Sequence, residues 1–383
     1  MSNEITKFLI ERIEFGDFPS AVFLVGEKGE IRLKGSAGKA VVEPVQILAT
    51  EDTIYDLASL TKVLVTGLLT AQLVECGDLA LDTEIGGILN QLNSPDKERI
   101  VIQELLTHTS RLPAWMPFYL CVDEPSLIVR GIADTPLVTP PSNVIYSDLN
   151  FILLGKVIEQ IIGKPLDEAF ASFATEPLGL INTSFNPSSM IRRRIAASER
   201  GNMFERQTCV ENGYLTAEGA NTRPTTPKTN GDRPAFRTET IWGEVHDGNA
   251  YFMNGVAGHA GLFASIDDIF VIANQFLRDR SKLLKPETCE LFHTNLTPGR
   301  NEHRSFAFQM ATTPDSAAGI NMSEQAFGHL GFTGTSLWID PLKERVFILL
   351  TNRTHAHGLP FVNLNAVRRR FHDLAIEYLG QNF

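Results

Sequence analysis

Strand-like runs lie at the two ends of this chain and are sparse between them, and that division most constrains its fold. Near the amino end, Ala21–Val25 and Glu30–Lys34 predict a hairpin turning across residues 26–29. Near the carboxyl end, Ser305–Ala311, Gly334–Ile339 and Arg345–Leu350 predict strands, the last two joined by a turn at residues 340–343. Strands left unpaired are a liability, so the two groups are expected to share one antiparallel sheet. The middle carries helical spacing instead. The strongest case runs from Ser59 to Glu75 with Leu60, Leu64, Leu68, Leu69 and Leu73; others cover residues 100–106, 151–162, 166–174 and 266–276. Helices over 4–15 and 361–378 close the two ends, and the Pro- and Gly-rich stretch 221–237 reads as a surface loop. The pattern predicts an α+β fold: an antiparallel sheet flanked by helices, built from residues 1–75 and 290–383. Residues 76–289 would form a mainly helical insertion, with the active site between the two parts.

Charge narrows the function. Thirty-four Lys and Arg against 45 Asp and Glu give a net charge of -11, which disfavours nucleic acid as a partner. The two compact basic runs, Arg192–Arg194 and Arg368–Arg370, are short and are expected to face solvent. The four cysteines, Cys76, Cys121, Cys209 and Cys289, have no metal-ligand spacing and suggest a reducing compartment. The amino terminus has no apolar signal core and no stretch is long enough to cross a bilayer, so a cytoplasmic protein is expected, or an exported one whose leader has been removed. Oligomeric state is not legible.

The chemistry centres on Ser59-Leu60-Thr61-Lys62 at the start of the strongest helix. Three positions of separation bring the lysine amine back over the serine hydroxyl, and the helix amino end adds partial positive charge. Such a pair suits nucleophilic catalysis: the amine takes the hydroxyl proton and the oxygen attacks a carbonyl. For this near neutral pH, Lys62 is expected to lose part of its preference for the protonated form, through burial or a neighbouring positive charge. A second element, Tyr146-Ser147-Asp148, follows Pro140 and Pro141 and precedes a helix. Tyr146 is placed to hold the amine deprotonated or to relay a proton to a leaving group; Asp148 is placed to accept from a lysine or to fix the loop. A helix cap with a core tyrosine is the alternative. A third element is Gly328-His329-Leu330-Gly331-Phe332-Thr333-Gly334, where glycines permit close backbone approach to a substrate. There the Phe332 and Ser59 amides form a predicted oxyanion hole, with His329 on the leaving-group side and Gly331 and Thr333 as further candidate substrate contacts.

In this order, the three motifs resemble those of the serine beta-lactamase and penicillin-binding-protein superfamily. The similarity is greatest to the branch of class C beta-lactamases, DD-peptidases, D-aminopeptidases and related esterases. It extends over nearly the whole chain and includes Tyr55–Lys62, Leu105–Ser110, Tyr146–Asp148, Gly255–Phe263 and Gly328–Leu337. The resemblance implies a beta-lactamase/DD-peptidase-like fold, Ser59 as acylated nucleophile, Lys62 as its proton partner and Tyr146 as a base. Two departures bear on substrate. Asp148 stands where class C enzymes carry Asn, and His329-Leu330-Gly331 stands where they carry Lys-Thr-Gly. Loss of that lysine removes a cation for a substrate carboxylate. A small ester, amide or D-amino-acid peptide is therefore the expected substrate, hydrolysed through an acyl-enzyme. The alternatives are a bona fide class C-like beta-lactamase and a weakly catalytic protein binding peptides or peptidoglycan fragments. His259, in Asn254–Phe263, is either a core histidine or a substrate contact. His246, Asp247, His355 and His357 lack a ligand pattern, and neither a metal nor an organic cofactor is expected.

Overall fold

The computed structural model of the chain describes residues 4–139, 143–216 and 235–382. Pro140, Pro141 and most of the 221–237 loop lie outside the described residues. Among these residues, ten strands form two sheets. The larger has the order β3-β2-β1-β10-β9-β8-β7: β1 is Ser20–Glu27, β2 Glu30–Val41, β3 Ile47–Leu48, β7 Gln309–Met310, β8 Phe327–Leu330, β9 Ser336–Asp340 and β10 Arg345–Thr351. A small sheet has the order β4-β6-β5, from Tyr55–Asp56, Leu262–Ala264 and Thr183–Phe185. Every pairing between these strands is antiparallel.

The two ends of the chain do meet. Strands β1 and β10 pair in the centre of the sheet, Phe23 opposite Leu349 and Val25 opposite Phe347. Their unbroken apolar runs follow from burial on both faces. Val22, Leu24, Val346, Ile348 and Leu350 join one core, while Ala21, Phe23, Val25, Phe347 and Leu349 join another. The second core is closed by the terminal helices Glu4–Phe15 and Asn365–Asn382 through Ile5, Leu9, Phe371 and Leu379. On the first face, the helix Ile266–Ala273 packs against β1 and β10, so this part of the 76–289 span reaches back to the sheet. The rest of the helical middle includes Ile102–Leu106, Asp148–Ile162, Leu166–Phe170 and Met203–Glu211. This is an α+β architecture, an antiparallel sheet flanked by helices with an inserted helical part. No helix among the described residues is long and apolar enough to cross a membrane.

Four local expectations change. The hairpin turn is tighter, with Lys28 and Gly29 both at positive φ, 55° and 76°. The strand expected over 305–311 shrinks to Gln309–Met310. Gly328–Leu330, read from sequence as the glycine-containing approach to a strand beginning at Gly334, lies within strand β8, Phe327–Leu330, which pairs with β9, His329 opposite Leu337. Gly328 permits this because a Cβ there would lie 2.3 Å from Trp338. Finally, Arg368 does not face solvent; it is 5% exposed, whereas Arg192–Arg194 are open.

Candidate active site

Ser59 is delivered by a short, tightly bonded approach. Strand β4 pairs with β6, and the buried Asp56 carboxylate accepts from the Ala58 amide at 2.8 Å and the His246 amide at 2.7 Å. Held this way, Ala58 sits at φ 47°, a left-handed conformation costly for a residue with a Cβ, directly before Ser59. The helix that follows opens with a π-helical segment, Lys62–Gly67, before the α-helix Leu68–Cys76. The wider turn is common at functional sites and leaves every residue from Lys62 to Gly67 buried. Thr61 and Thr66 bind this helix to the glycine-rich stretch: Thr61 Oγ1 accepts from the Leu262 amide, and Thr66 Oγ1 donates to the Gly258 carbonyl at 2.6 Å. At Gly258 a Cβ would lie 2.1 Å from the Phe151 carbonyl oxygen. That contact accounts for a glycine here, because two helices and a loop meet without room for a side chain.

Lys62 is fully buried and its amine is at the centre of the site. Nζ donates to Ser59 Oγ at 2.8 Å and to the His259 carbonyl at 3.0 Å, and lies 2.8 Å from Asp148 Oδ1. The last contact is an ion pair. Asp148 is fixed from behind by its own amide donating to the Ala114 carbonyl, and by Ser147 Oγ donating to the Pro113 carbonyl. The electrostatics correct one expectation. Burial drives the Lys62 ammonium toward the neutral form, but the Asp148 carboxylate and Tyr146 outweigh it, and the pKa stands above that of an ordinary lysine. Burial, one of the two expected causes, is present, but the neighbour is a negative charge and not a positive one, and its effect prevails.

Tyr146 is held by rings and cations. His108 lies 4.6 Å from it and His329 5.7 Å, centroid to centroid, with Lys62 Nζ 5.2 Å and the Arg304 guanidinium 5.5 Å from its ring centre. His108 Nδ1 accepts from the Ser147 amide at 3.0 Å and faces the Asn150 amide group, which places its proton on Nε2. Burial, together with Arg304 and Lys62, holds both His108 and His329 well below the usual histidine range, so both are neutral.

Ser59, Tyr146, Asp148, His329, Gly331 and Phe332 line one cavity of about 900 Å³. The Gly331–Thr335 turn is stitched to the Ser59 approach by Thr333 Oγ1 donating to the Asp56 carbonyl at 2.8 Å and Thr335 Oγ1 donating to the Leu57 carbonyl at 3.0 Å. The amides of Ser59 and Phe332 donate to no protein acceptor among the described residues. Thr333 and His259, both candidate substrate contacts, lie off the cavity lining, His259 in the core place that was its alternative. Thr333 is buried with its hydroxyl engaged on Asp56, and does not line the cavity. His259 is also buried and off the lining; its Nε2 meets Asp247 Oδ1 at 2.9 Å and its carbonyl holds Lys62. His355 bridges the Val42 amide and the Ser198 carbonyl, away from the cavity.

Asp148, Asp247 and His259 bring ligand-type atoms within 4.8 Å of one another, a set able to hold a cation. The Lys62 ammonium, beside Asp148 and on the His259 carbonyl, is itself a cation at that place. Sequence reasoning missed the lining residues Trp115, Glu205, Arg304, Arg353 and Arg368. None lies in a motif with a spacing signal; only the fold gathers them.

Comparison with known proteins gives the family and the fold. The beta-lactamase family profile matches residues 6–368. A putative D-alanyl-D-alanine carboxypeptidase of Escherichia coli is 30% identical over 383 residues, covering 92% of this chain and 82% of the relative. Among solved structures, EstCE1, a hydrolase with promiscuous acyltransferase activity, has a TM-score of 0.71 at 20% identity, covering 97% of each chain. A class C beta lactamase from Rhodobacter sphaeroides has a TM-score of 0.69 at 18% identity, covering 99% of this chain and 100% of that one. With its profile match running nearly end to end and its fold shared at this level, the chain belongs to the beta-lactamase family.

Proposed function

We propose that the chain is a serine hydrolase that forms an acyl-enzyme on Ser59 with a small ester, amide or D-amino-acid peptide. The observation that carries this is the 2.8 Å contact between Lys62 Nζ and Ser59 Oγ at a cavity large enough for a small substrate. In the resting site the ammonium donates to the hydroxyl, so a proton must leave Lys62 before the amine can accept one. Asp148 is the nearest acceptor. Transfer from Lys62 to Asp148 leaves a neutral amine; that amine takes the Ser59 proton as Oγ bonds to the substrate carbonyl carbon. The oxygen that becomes negative is received by the Ser59 and Phe332 amides. Tyr146, beside the amine, passes a proton to the leaving group, and the reverse path activates water for deacylation.

The substrate preference rests on His329. It is neutral, so the position that carries a lysine cation in class C enzymes offers no charge here. Short esters and peptides are expected to turn over faster than lactams, and the carboxypeptidase named among the relatives makes D-amino-acid peptides the first peptides to try. The test is labelling with a fluorophosphonate followed by mass analysis, beside rates on p-nitrophenyl acetate, nitrocefin and a D-Ala-D-Ala peptide. One adduct on Ser59, with activity lost by about 10³-fold or more in Ser59→Ala, is expected. Unchanged turnover in that variant, or a lactam rate far above the others, would overturn the mechanism or the preference respectively.

A further inference from the structure

The turn between β8 and β9 is gripped by two guanidinium groups that also line the cavity. Arg368 Nη2 donates to the Gly331 carbonyl at 3.0 Å and to the Thr335 carbonyl at 3.1 Å, while Nη1 donates to Asn365 Oδ1. Arg353 Nε donates to the Phe332 carbonyl at 2.7 Å and Nη1 to the Val362 carbonyl at 2.7 Å, with the guanidinium 4.9 Å from the Phe332 ring centre. Neither arginine has a carboxylate partner among the described residues, and Arg368 is 5% exposed. Burial pushes Arg353 down to about 10 and Arg368 to about 9, the second also repelled by the first. Both remain charged at neutral pH. A buried and a half-buried cation near one another without a counter-ion among the described residues are costly, and apart from the Asn365 side chain they donate to backbone carbonyls.

The identity of those carbonyls gives the arrangement a use. The Gly331 carbonyl and the Phe332 N–H belong to one peptide unit, and its two ends point in opposite directions. A positive donor on the oxygen draws electron density from the amide, strengthens the N–H as a donor and fixes the peptide plane. We infer that Arg368 is a positioning residue which orients and polarises the Phe332 N–H for the oxyanion, and that Arg353 holds the next peptide so that this N–H stays aimed into the cavity. Gly331 is part of the same device: a Cβ there would lie 1.9 Å from Thr335 Oγ1 and 2.6 Å from the Leu57 carbonyl oxygen, so only glycine lets the turn sit this close. The inference rests on the Ser59 reading above and adds the source of the oxyanion hole's strength.

The test compares Arg368→Gln, Arg368→Lys and Arg353→Gln with the parent in the full chain. Substrates are an aryl ester and its thionoester, whose sulfur accepts a hydrogen bond poorly. Removing an oxyanion donor altogether costs about 10²–10³ in kcat, so loss of polarisation alone should cost about tenfold. In Arg368→Gln, which keeps a neutral donor, kcat on the ester should fall about tenfold with KM nearly unchanged, and the ester-to-thionoester rate ratio should fall with it. Arg368→Lys should recover part of that ratio. Arg353→Gln should change the ratio less, because its carbonyl belongs to the neighbouring peptide. A ratio that stays constant while kcat and melting temperature fall together would reduce the clamp to a structural role and overturn the inference; so would a larger change in Arg353→Gln. Should Arg368→Gln fail to fold, Arg368→Lys against the parent still decides, since a charged amine with altered reach must shift the ratio. Fluorophosphonate labelling of the parent separates the two readings: a Ser59 adduct with an unmoved ratio sinks the clamp alone, and no adduct sinks both.

Discussion

The two walls of the cavity handle buried charge in opposite ways. On the Ser59 wall the cation has a partner: Lys62 sits 2.8 Å from Asp148, between Ser59 Oγ and the His259 carbonyl. On the Phe332 wall, Arg353 and Arg368 have no carboxylate partner among the described residues and grip backbone carbonyls. A paired lysine is suited to giving and regaining a proton, because its neighbour can take the charge. An arginine stays charged and cannot take part in such an exchange, which suits a fixed field. On the function proposed above, proton movement and charge stabilisation fall to different residue types lining one cavity.

The sharpest way to break this contrast is to disturb the rigid wall without touching a charge. Gly331→Ala places a methyl where Thr335 Oγ1 and the Leu57 carbonyl already stand, so the turn must move and carry the Phe332 amide with it. A fall of about 10² in kcat is expected, with destabilisation of about 1–3 kcal/mol from overpacking. Steady-state kinetics and thermal melting check it. Parental kcat in this variant would show that the turn is not a fixed surface.

On the Ser59 wall the corresponding change is electrostatic. Asp148→Asn removes the charge that, with Tyr146, holds Lys62 above the ordinary lysine range. The sign follows directly. With the raising partner gone and burial still acting, the Lys62 pKa drops, and the neutral amine becomes available at lower pH. The acid limb of the kcat/KM profile should move toward lower pH, even if the maximum rate falls because Asp148 no longer takes the proton. An acid limb that stays in place would mean that Lys62 does not control it.

These two walls were unequally legible in the sequence. The three-residue spacing of Ser59 and Lys62 and the leucines behind them mark one wall locally, since both residues stand on one turn of helix. The terminal strands were equally plain, because β1 and β10 are buried on both faces and read as continuous apolar runs. The other wall was hidden. Phe327–Leu330 contains a glycine needed for contact with Trp338, and so read as the approach to a strand rather than as strand β8 itself. Arg368 reads as part of an exposed basic run, yet it meets Gly331 across 37 positions of sequence. Strands as short as Tyr55–Asp56 and Leu262–Ala264 carry no period of their own. The charge beside Lys62 was present in the sequence as Asp148, but its effect on the amine depends on a distance that only the fold sets.

The smallest expected effect lies at the edge of the cavity, where charge is neither paired nor clamped. Glu205 is buried, accepting from the Gly248 amide and the Tyr119 hydroxyl, both at 2.8 Å. Burial pushes its carboxyl up to about 7, with the nearby Asp247 charge adding to the effect. An unfolded glutamate loses its proton near pH 4.3, whereas the folded chain keeps it until about 7. Between those values the native state binds more protons than the unfolded one, so stability falls as pH rises through that window and is level above it. Glu205→Gln retains an acceptor for Gly248, and the Tyr119 hydroxyl can turn to accept from the new amide. Melting from pH 5 to pH 8 should then show a flatter slope in the variant than in the parent, by a few degrees over the range. Parallel curves would assign the slope to another group.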